Sequence, residues 1–286
     1  MNKYELLQDD KIEVSGHILY RIRALKDFKG AKAGDLGGYI EKEKNLSQVG
    51  GCWVYDNACV CDNACVYGNA RVCDNACVFG NARVYGSAYV CGNACVYGNA
   101  RVCGNAGVYD NARVCGNARV YGSAYVYDNA HVYDNARVYD NAYVFGNACV
   151  YDNACVYGNA RVRGNARVRD NAHVYGSAYV YDNAHVYGSA YVYDNAHVYD
   201  NARVCDNAKI NKISDVLCIS PIGSRNDTTT FFKTKDNNIC VKCGCFTGTI
   251  DDFWEAVSET HKDNKHAKAY KLACELARVQ IELEDI

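Results

Sequence analysis

Residues 55 to 210 repeat every six positions without insertion or deletion, as [YCFR]-[DG]-[NS]-A-x-V through 26 consecutive hexads. An alanine series runs from Ala58 to Ala208, and a valine series from Val54 to Val204 continues as Ile210. A helix needs apolar residues at a period of 3.6, whereas Ala and Val two positions apart, followed by a gap, spell a short strand and then a corner. Asp-Asn, Gly-Asn and Gly-Ser pairs fill the corners, and these residues tolerate positive φ or bond their own backbone. Three hexads then close a coil of about 18 residues, and at about 4.8 Å per coil the repeats build a rod about 40 Å long. Val and Ala point inward, and the residues flanking each Val point outward. The predicted fold class is an all-β solenoid, a parallel β-helix with three hexads per coil.

A bare solenoid exposes unpaired strand edges at both ends, so capping segments are expected. Residues 1–54 are read as an N-terminal β cap with the first irregular coils, 55–210 as the repeat, and 211–286 as a small C-terminal α+β module. In the cap, KYELL, KIEV and HILYRIRAL read as strands separated by turns at Asp9-Asp10 and Ser15-Gly16. In the module, Phe231 and Phe232 lead into a hairpin turning at Asp236, Asn237 and Asn238. Thr249 to Asp252 resembles a capping box, with Ile250, Phe253, Trp254 and Val257 on one helical face. A second helix is predicted from about Asn264, with Leu272, Leu276, Val279 and Leu283 as its apolar stripe.

The 31 basic and 33 acidic residues leave a net charge of −2, which argues against a generic nucleic-acid or membrane binder and confines such binding to a local patch. No apolar run approaches the roughly 20 residues needed to span a bilayer. The first residues, MNKYELLQDDKIEV, lack the layout of a signal peptide. The expectation is a cytoplasmic protein whose 18 cysteines are mostly reduced.

Val60 with Ala64, or Val96 with Ala100, pairs an aliphatic residue with a small one four positions on, and in this the chain resembles the left-handed hexapeptide-repeat β-helix. Left-handedness is implied by that resemblance. Asp27-Phe28, Ala33-Gly34, Gly37-Gly38, Leu46-Ser47-Gln48 and Cys52-Trp53 resemble the N-terminal segment of bacterial and phage hexapeptide-repeat proteins of the YdcK-like type. The C-terminal module also looks like one found in phage proteins with such repeats. These resemblances imply a phage or mobile-element protein, and such a protein is expected to act as a binder or scaffold, for instance as an inhibitor of a host or defence complex.

Of the 52 outward positions in the hexads, 48 are Tyr, Cys, His or Arg, whose codons interconvert by single transitions. Drift or targeted diversification of one duplicated 18-base unit therefore accounts for most of the outward variation. Against that background, Arg83, Arg101, Arg119 and Arg137 fall in one ladder beside Tyr85, Cys103, Tyr121 and Tyr139. Evenly spaced guanidiniums with aromatic neighbours suit a polyanion or stacked bases. Residues 55–210 also contain 12 Lys plus Arg and 13 Asp, so either the corner aspartates neutralise this ladder or a ligand does. Cys59, Cys77 and Cys95 stack on one face, but parallel ladder side chains do not converge as a tetrahedral zinc site requires. Cys73 over Cys91 approaches disulfide distance in a compartment that disfavours the bond. Cys240, Cys243 and Cys245 form a C-x-x-C-x-C cluster with His261 and His266 downstream, a candidate zinc site in which Cys240 points away unless the strand bulges.

Many hexapeptide β-helices are acyl-CoA-dependent acyltransferases with a catalytic His beside a loop that interrupts the coils, acting as trimers. No loop breaks these 26 hexads, and His131, His173, His185 and His197 belong to the interchangeable outward set. The absence of Thr from residues 55–210 argues against ice binding through Thr arrays. The reading is a non-catalytic protein without a cofactor, engaging a protein partner or a second copy of itself through solenoid faces. The alternatives are an acyltransferase and a polyanion or nucleic-acid binder using the Arg/Tyr face.

Overall fold

The computed structural model describes residues 2–284, in two compact units, 1–153 and 154–286. In the first unit, β1 (Tyr4–Val14) and β2 (His17–Ala24) form an antiparallel hairpin around Ser15 and Gly16, both at positive φ (51° and 84°). Two residues in that region suit a tight turn whose twist matches that of the strands. Asp9 and Asp10 do not make the turn expected of them. They lie within β1, where the pairing shifts between Leu7 and Lys11, and the Asp10 carboxylate accepts from Arg21 Nε at 2.8 Å. Arg21 on the opposite strand holds Asp10 in an irregular strand that local turn preference alone does not foresee. β3 (Leu36–Ile40) pairs antiparallel with β2 and parallel with the rung Cys59–Val60, so the sheet changes sense there.

From Trp53–Val54 onward, two-residue rungs recur every six positions, and within each unit a rung pairs in parallel with the one 18 residues later, as in Val54 with Val72 or Arg101 with Arg119. Three rungs thus make one coil, distributed over three parallel sheets. The Ala and Val series fill the inside, none more than 1 % exposed. Corner aspartates such as Asp56 and Asp62 hold φ of 52° and 58°. Asp tolerates this left-handed conformation because its short side chain bonds locally. Here the carboxylate of Asp62 accepts the Gly80 N–H one coil on, at 2.9 Å. The next residue builds an amide ladder, Asn63 to Asn81, Asn99, Asn117 and Asn135, at 3.1–3.3 Å per step. Such ladders are a known stabiliser of stacked parallel strands.

The first coil is seated on the residues that carried the N-terminal resemblance. Trp53 is buried edge-on to Phe28, with centroids 5.3 Å apart. Lys3 Nζ, also buried, donates to the Cys52 carbonyl at 2.9 Å and lies 5.1 Å from the Phe28 centroid. A Cβ at Gly37 would come within 2.7 Å of the Trp53 ring, so glycine lets this strand close over the indole.

In the second unit the rungs run from Cys155–Val156 to Lys209–Ile210, followed by an antiparallel sheet of Val216–Ile222, Asp227–Lys233, Ile239–Cys243 and Phe246–Thr249. Thr230 Oγ1 accepts from Arg203 N at 3.0 Å and Lys235 N donates to Asn207 O at 2.8 Å, giving backbone groups of the last rungs partners. The hairpin turns over 234–238, as the sequence suggests. α1 (Ile250–His261) starts at Thr249, whose hydroxyl accepts from Asp252 N while the Asp252 carboxylate accepts from Thr249 N. α2 (Lys265–Gln280) is capped by Asn264. Its stripe is the reverse of the expectation: Leu272, Leu276, Val279 and Leu283 are exposed, Val279 by 81 %, and Ala267, Tyr270, Ala273, Cys274 and Ala277 are buried. Alanines allow the helix close approach to the sheet and α1, so small residues take the inner face although larger ones form the more regular stripe.

Candidate functional site

Parallel register places Arg83 beside Arg101, Arg101 beside Arg119 and Arg119 beside Arg137, all four exposed. The Val between each Arg and the following Tyr or Cys is buried, so the two outward residues that flank it form adjacent ladders. In the aromatic ladder Tyr67 stacks on Tyr85, and Tyr121 on Tyr139, each pair 4.8 Å apart and within 2° of parallel. Cys103 occupies the step between Tyr85 and Tyr121. Its thiol bonds Tyr85, and this bond, aided by burial, pushes the Tyr85 phenol up to about 12, so the ring stays neutral at physiological pH.

Charge along this face is uneven in a way that a sum over the repeat conceals. The corner before each Arg carries Gly80, Gly98, Gly116 and then Asp134; the corner after carries Gly86, Gly104, Gly122 and then Asp140. The flanking corners of Arg83, Arg101 and Arg119 therefore contain no carboxylate, while Arg137 lies between two. Among the described residues no ion pair involves any of the four; Arg169, which pairs with Asp170 at 3.2 Å, shows the contact that a corner aspartate permits. Counting aspartates column by column, at a spacing of 18, is the sequence signal that finds this window. At about 4.8 Å, two guanidiniums repel by about 0.9 kcal/mol in bulk water and about 3.5 kcal/mol at an effective dielectric of about 20. An anion laid along the window relieves that repulsion.

The other candidates are dispersed. Cys240 and Cys243 lie on opposite faces of the Ile239–Cys243 strand: Cys243 meets Thr229 Oγ1 at 3.2 Å and the Tyr270 hydroxyl at 3.6 Å, whereas Cys240 lies toward Asp206. Burial first, and Asp206 next, push the Cys240 thiol up. Cys245 is exposed, and the three sulfurs do not gather within a metal's reach among the described residues. Cys59, Cys77 and Cys95 stack in register. Cys73 and Cys91 are joined as a disulfide, with Cα atoms 4.6 Å apart, where reduced thiols were expected. Stacking one coil apart brings any such pair into bridging range.

The rod histidines sit in three different ladders. His131 lies between Arg113 and Cys149, His185 between Arg167 and Arg203, His173 beside Tyr191, and His197 beside Tyr179. Burial first, then adjacent cations, hold His131, His173 and His185 below the usual imidazole range. No helix among the described residues is long and apolar enough to cross a membrane.

The family model described as the YdcK beta-solenoid repeat matches residues 70–86, 76–92 and 112–128, which include Arg83 and Arg119. A comparison with curated proteins gave no match.

Proposed function

The chain carries YdcK-like β-solenoid repeats, and from that premise we propose that it is a non-catalytic binding protein that holds an anionic partner along the Arg83–Arg119 window. The observation that supports this reading is three exposed guanidiniums in register with no carboxylate at their flanking corners. The neighbouring tyrosines supply flat apolar area at low entropic cost, and Arg and Tyr are the residue types that carry most binding energy at interfaces. A catalytic site needs reacting groups that converge and exclude water, whereas this face presents parallel side chains. The partner favoured is an acidic protein segment, consistent with a scaffold or inhibitor role.

Retention of the full chain on immobilised polyglutamate, and in parallel on a single-stranded oligonucleotide, tests the proposal. Salt-sensitive retention on polyglutamate that falls progressively as Arg83, Arg101 and Arg119 are changed to Ala is the expected result. Stronger retention on the oligonucleotide makes nucleic acid the partner instead. Retention unmoved by all three changes overturns the reading.

A further inference from the structure

The β1–β2 hairpin lies over the first coils, and its tip brings together three residues far apart in sequence. His17 follows the hairpin turn, Glu41 follows β3, and Asp62 is a corner of the repeat. His17 Nε2 is 3.3 Å from Asp62 Oδ1, and His17 Nδ1 is 3.7 Å from Glu41 Oε2. One ligand atom from each residue lies within 4.8 Å of the other two. A single imidazole nitrogen binds an ion, so the 3.3 and 3.7 Å contacts, made by opposite nitrogens, are not both ligand separations. Around an ion with bonds of about 2.1 Å, tetrahedral ligand atoms stand about 3.4 Å apart, and the triad, spread over no more than 4.8 Å, draws in to meet that spacing as the imidazole turns.

Both carboxylates are already oriented by the backbone. Asp62 N donates to Glu41 Oε2 at 2.5 Å, Asp62 Oδ2 accepts from Gly80 N, and Lys42 Nζ donates to Glu41 Oε1 at 3.2 Å. Beside the triad a cavity of about 200 Å³ is lined by His17, Asp62 and the thiols of Cys59, Cys61, Cys77 and Cys95.

We propose that His17, Glu41 and Asp62 bind a divalent first-row transition-metal ion, with the remaining coordination positions opening into the thiol-lined cavity. One imidazole with two carboxylates suits ions from Mn²⁺ to Zn²⁺. The bound ion fastens the hairpin, the end of β3 and the Asp62 corner to one another, so it stabilises the end of the solenoid that the hairpin covers. This site does not depend on the Arg/Tyr face or on the C-terminal thiols.

Mn²⁺ is the probe of choice, because the sixteen free cysteines would capture Zn²⁺ adventitiously whereas thiolates prefer softer ions. Loss of the free Mn²⁺ paramagnetic resonance signal on titrating the full chain measures binding, and the melting temperature with and without Mn²⁺ measures fastening. The expected result is stoichiometric binding that raises the melting temperature, weakened about tenfold or more in His17→Ala and in Asp62→Asn. Asn keeps the left-handed corner and an acceptor for Gly80 N, so that variant folds even if the other does not. The joint change of Cys240, Cys243 and Cys245 to Ser leaves binding in place. Absence of stoichiometric binding overturns the proposal, as does binding that survives both Asp62→Asn and His17→Ala.

Discussion

At the scale of single residues, the repeat dictates inside and outside so strictly that an outward position tolerates Tyr, Cys, Arg or His, while an inward one takes only Val, Ala or the closing Ile210. That alternation was legible because a two-residue rung has one face in and one face out. Local conformation was less so: Asp9 and Asp10 are turn formers by preference, yet Arg21 on the facing strand holds Asp10 within β1. Outward histidines also acquire properties from their neighbours. His185 is held below the usual imidazole value by burial and then by Arg167, Arg203 and Arg169. The folded chain therefore binds its proton less readily than the unfolded chain, whose imidazole titrates near about 6.5. Stability is unpenalised above that pH and falls as pH drops through it toward the lower folded value. Thermal melts taken from about pH 7.5 to about pH 5.5 are expected to show a smaller loss for His185→Tyr than for the parent chain. Equal losses in both would remove His185 from the acid response.

At the scale of elements, caps and turns were legible where the signal is local. Thr249, Asp252 and Asn264 mark both helix starts, and the Asp236–Asn238 turn sits where two strands must reverse. The face of α2 was not legible, because its sequence carries two apolar stripes, one of leucines and one of alanines with Tyr270. Which one packs depends on the gap left by the sheet and α1, and only the narrow stripe fits. A cap, by contrast, has a definite local worth. Thr249→Ala removes the hydroxyl that accepts from Asp252 N and should cost about 1 kcal/mol. Hydrogen exchange should then rise in the first turn of α1, at Asp251 to Phe253, while the amide of Val132, inside the first unit, is unchanged. Loosening that reached Val132 would mean the cap supports more than its own helix.

At the scale of the whole molecule, the Arg83–Arg137 ladder was legible because parallel stacking follows from the period alone. Its electrostatics were not, since the aspartates were summed over the repeat when position decides which charges meet. The metal triad was out of reach for a different reason: it depends on where a hairpin lands, and no periodicity encodes that. The charge window admits a test that adds a group rather than removing one. Asp62 shares a corner column with Gly80, Gly98 and Gly116, and its own φ of 58° shows that the column accepts Asp. A Cβ at Gly80 or Gly98 meets the next coil's backbone N at 3.0 Å, a tight contact that the same column accommodates at Asp62. Gly80→Asp with Gly98→Asp would thus place carboxylates at the flank of Arg83 and Arg101. An exposed ion pair contributes about 0.2–1 kcal/mol, which offsets part of the cost of a side chain at a φ of 69°, a conformation that Asp tolerates better than most residues, so the melting temperature should change little. Retention on polyglutamate should nevertheless weaken and elute at lower salt, because the anion's place is already taken. Weakened retention with a preserved melting temperature separates charge from structural damage, which alanine changes at the arginines cannot do alone. Unchanged retention would show that the partner binds elsewhere.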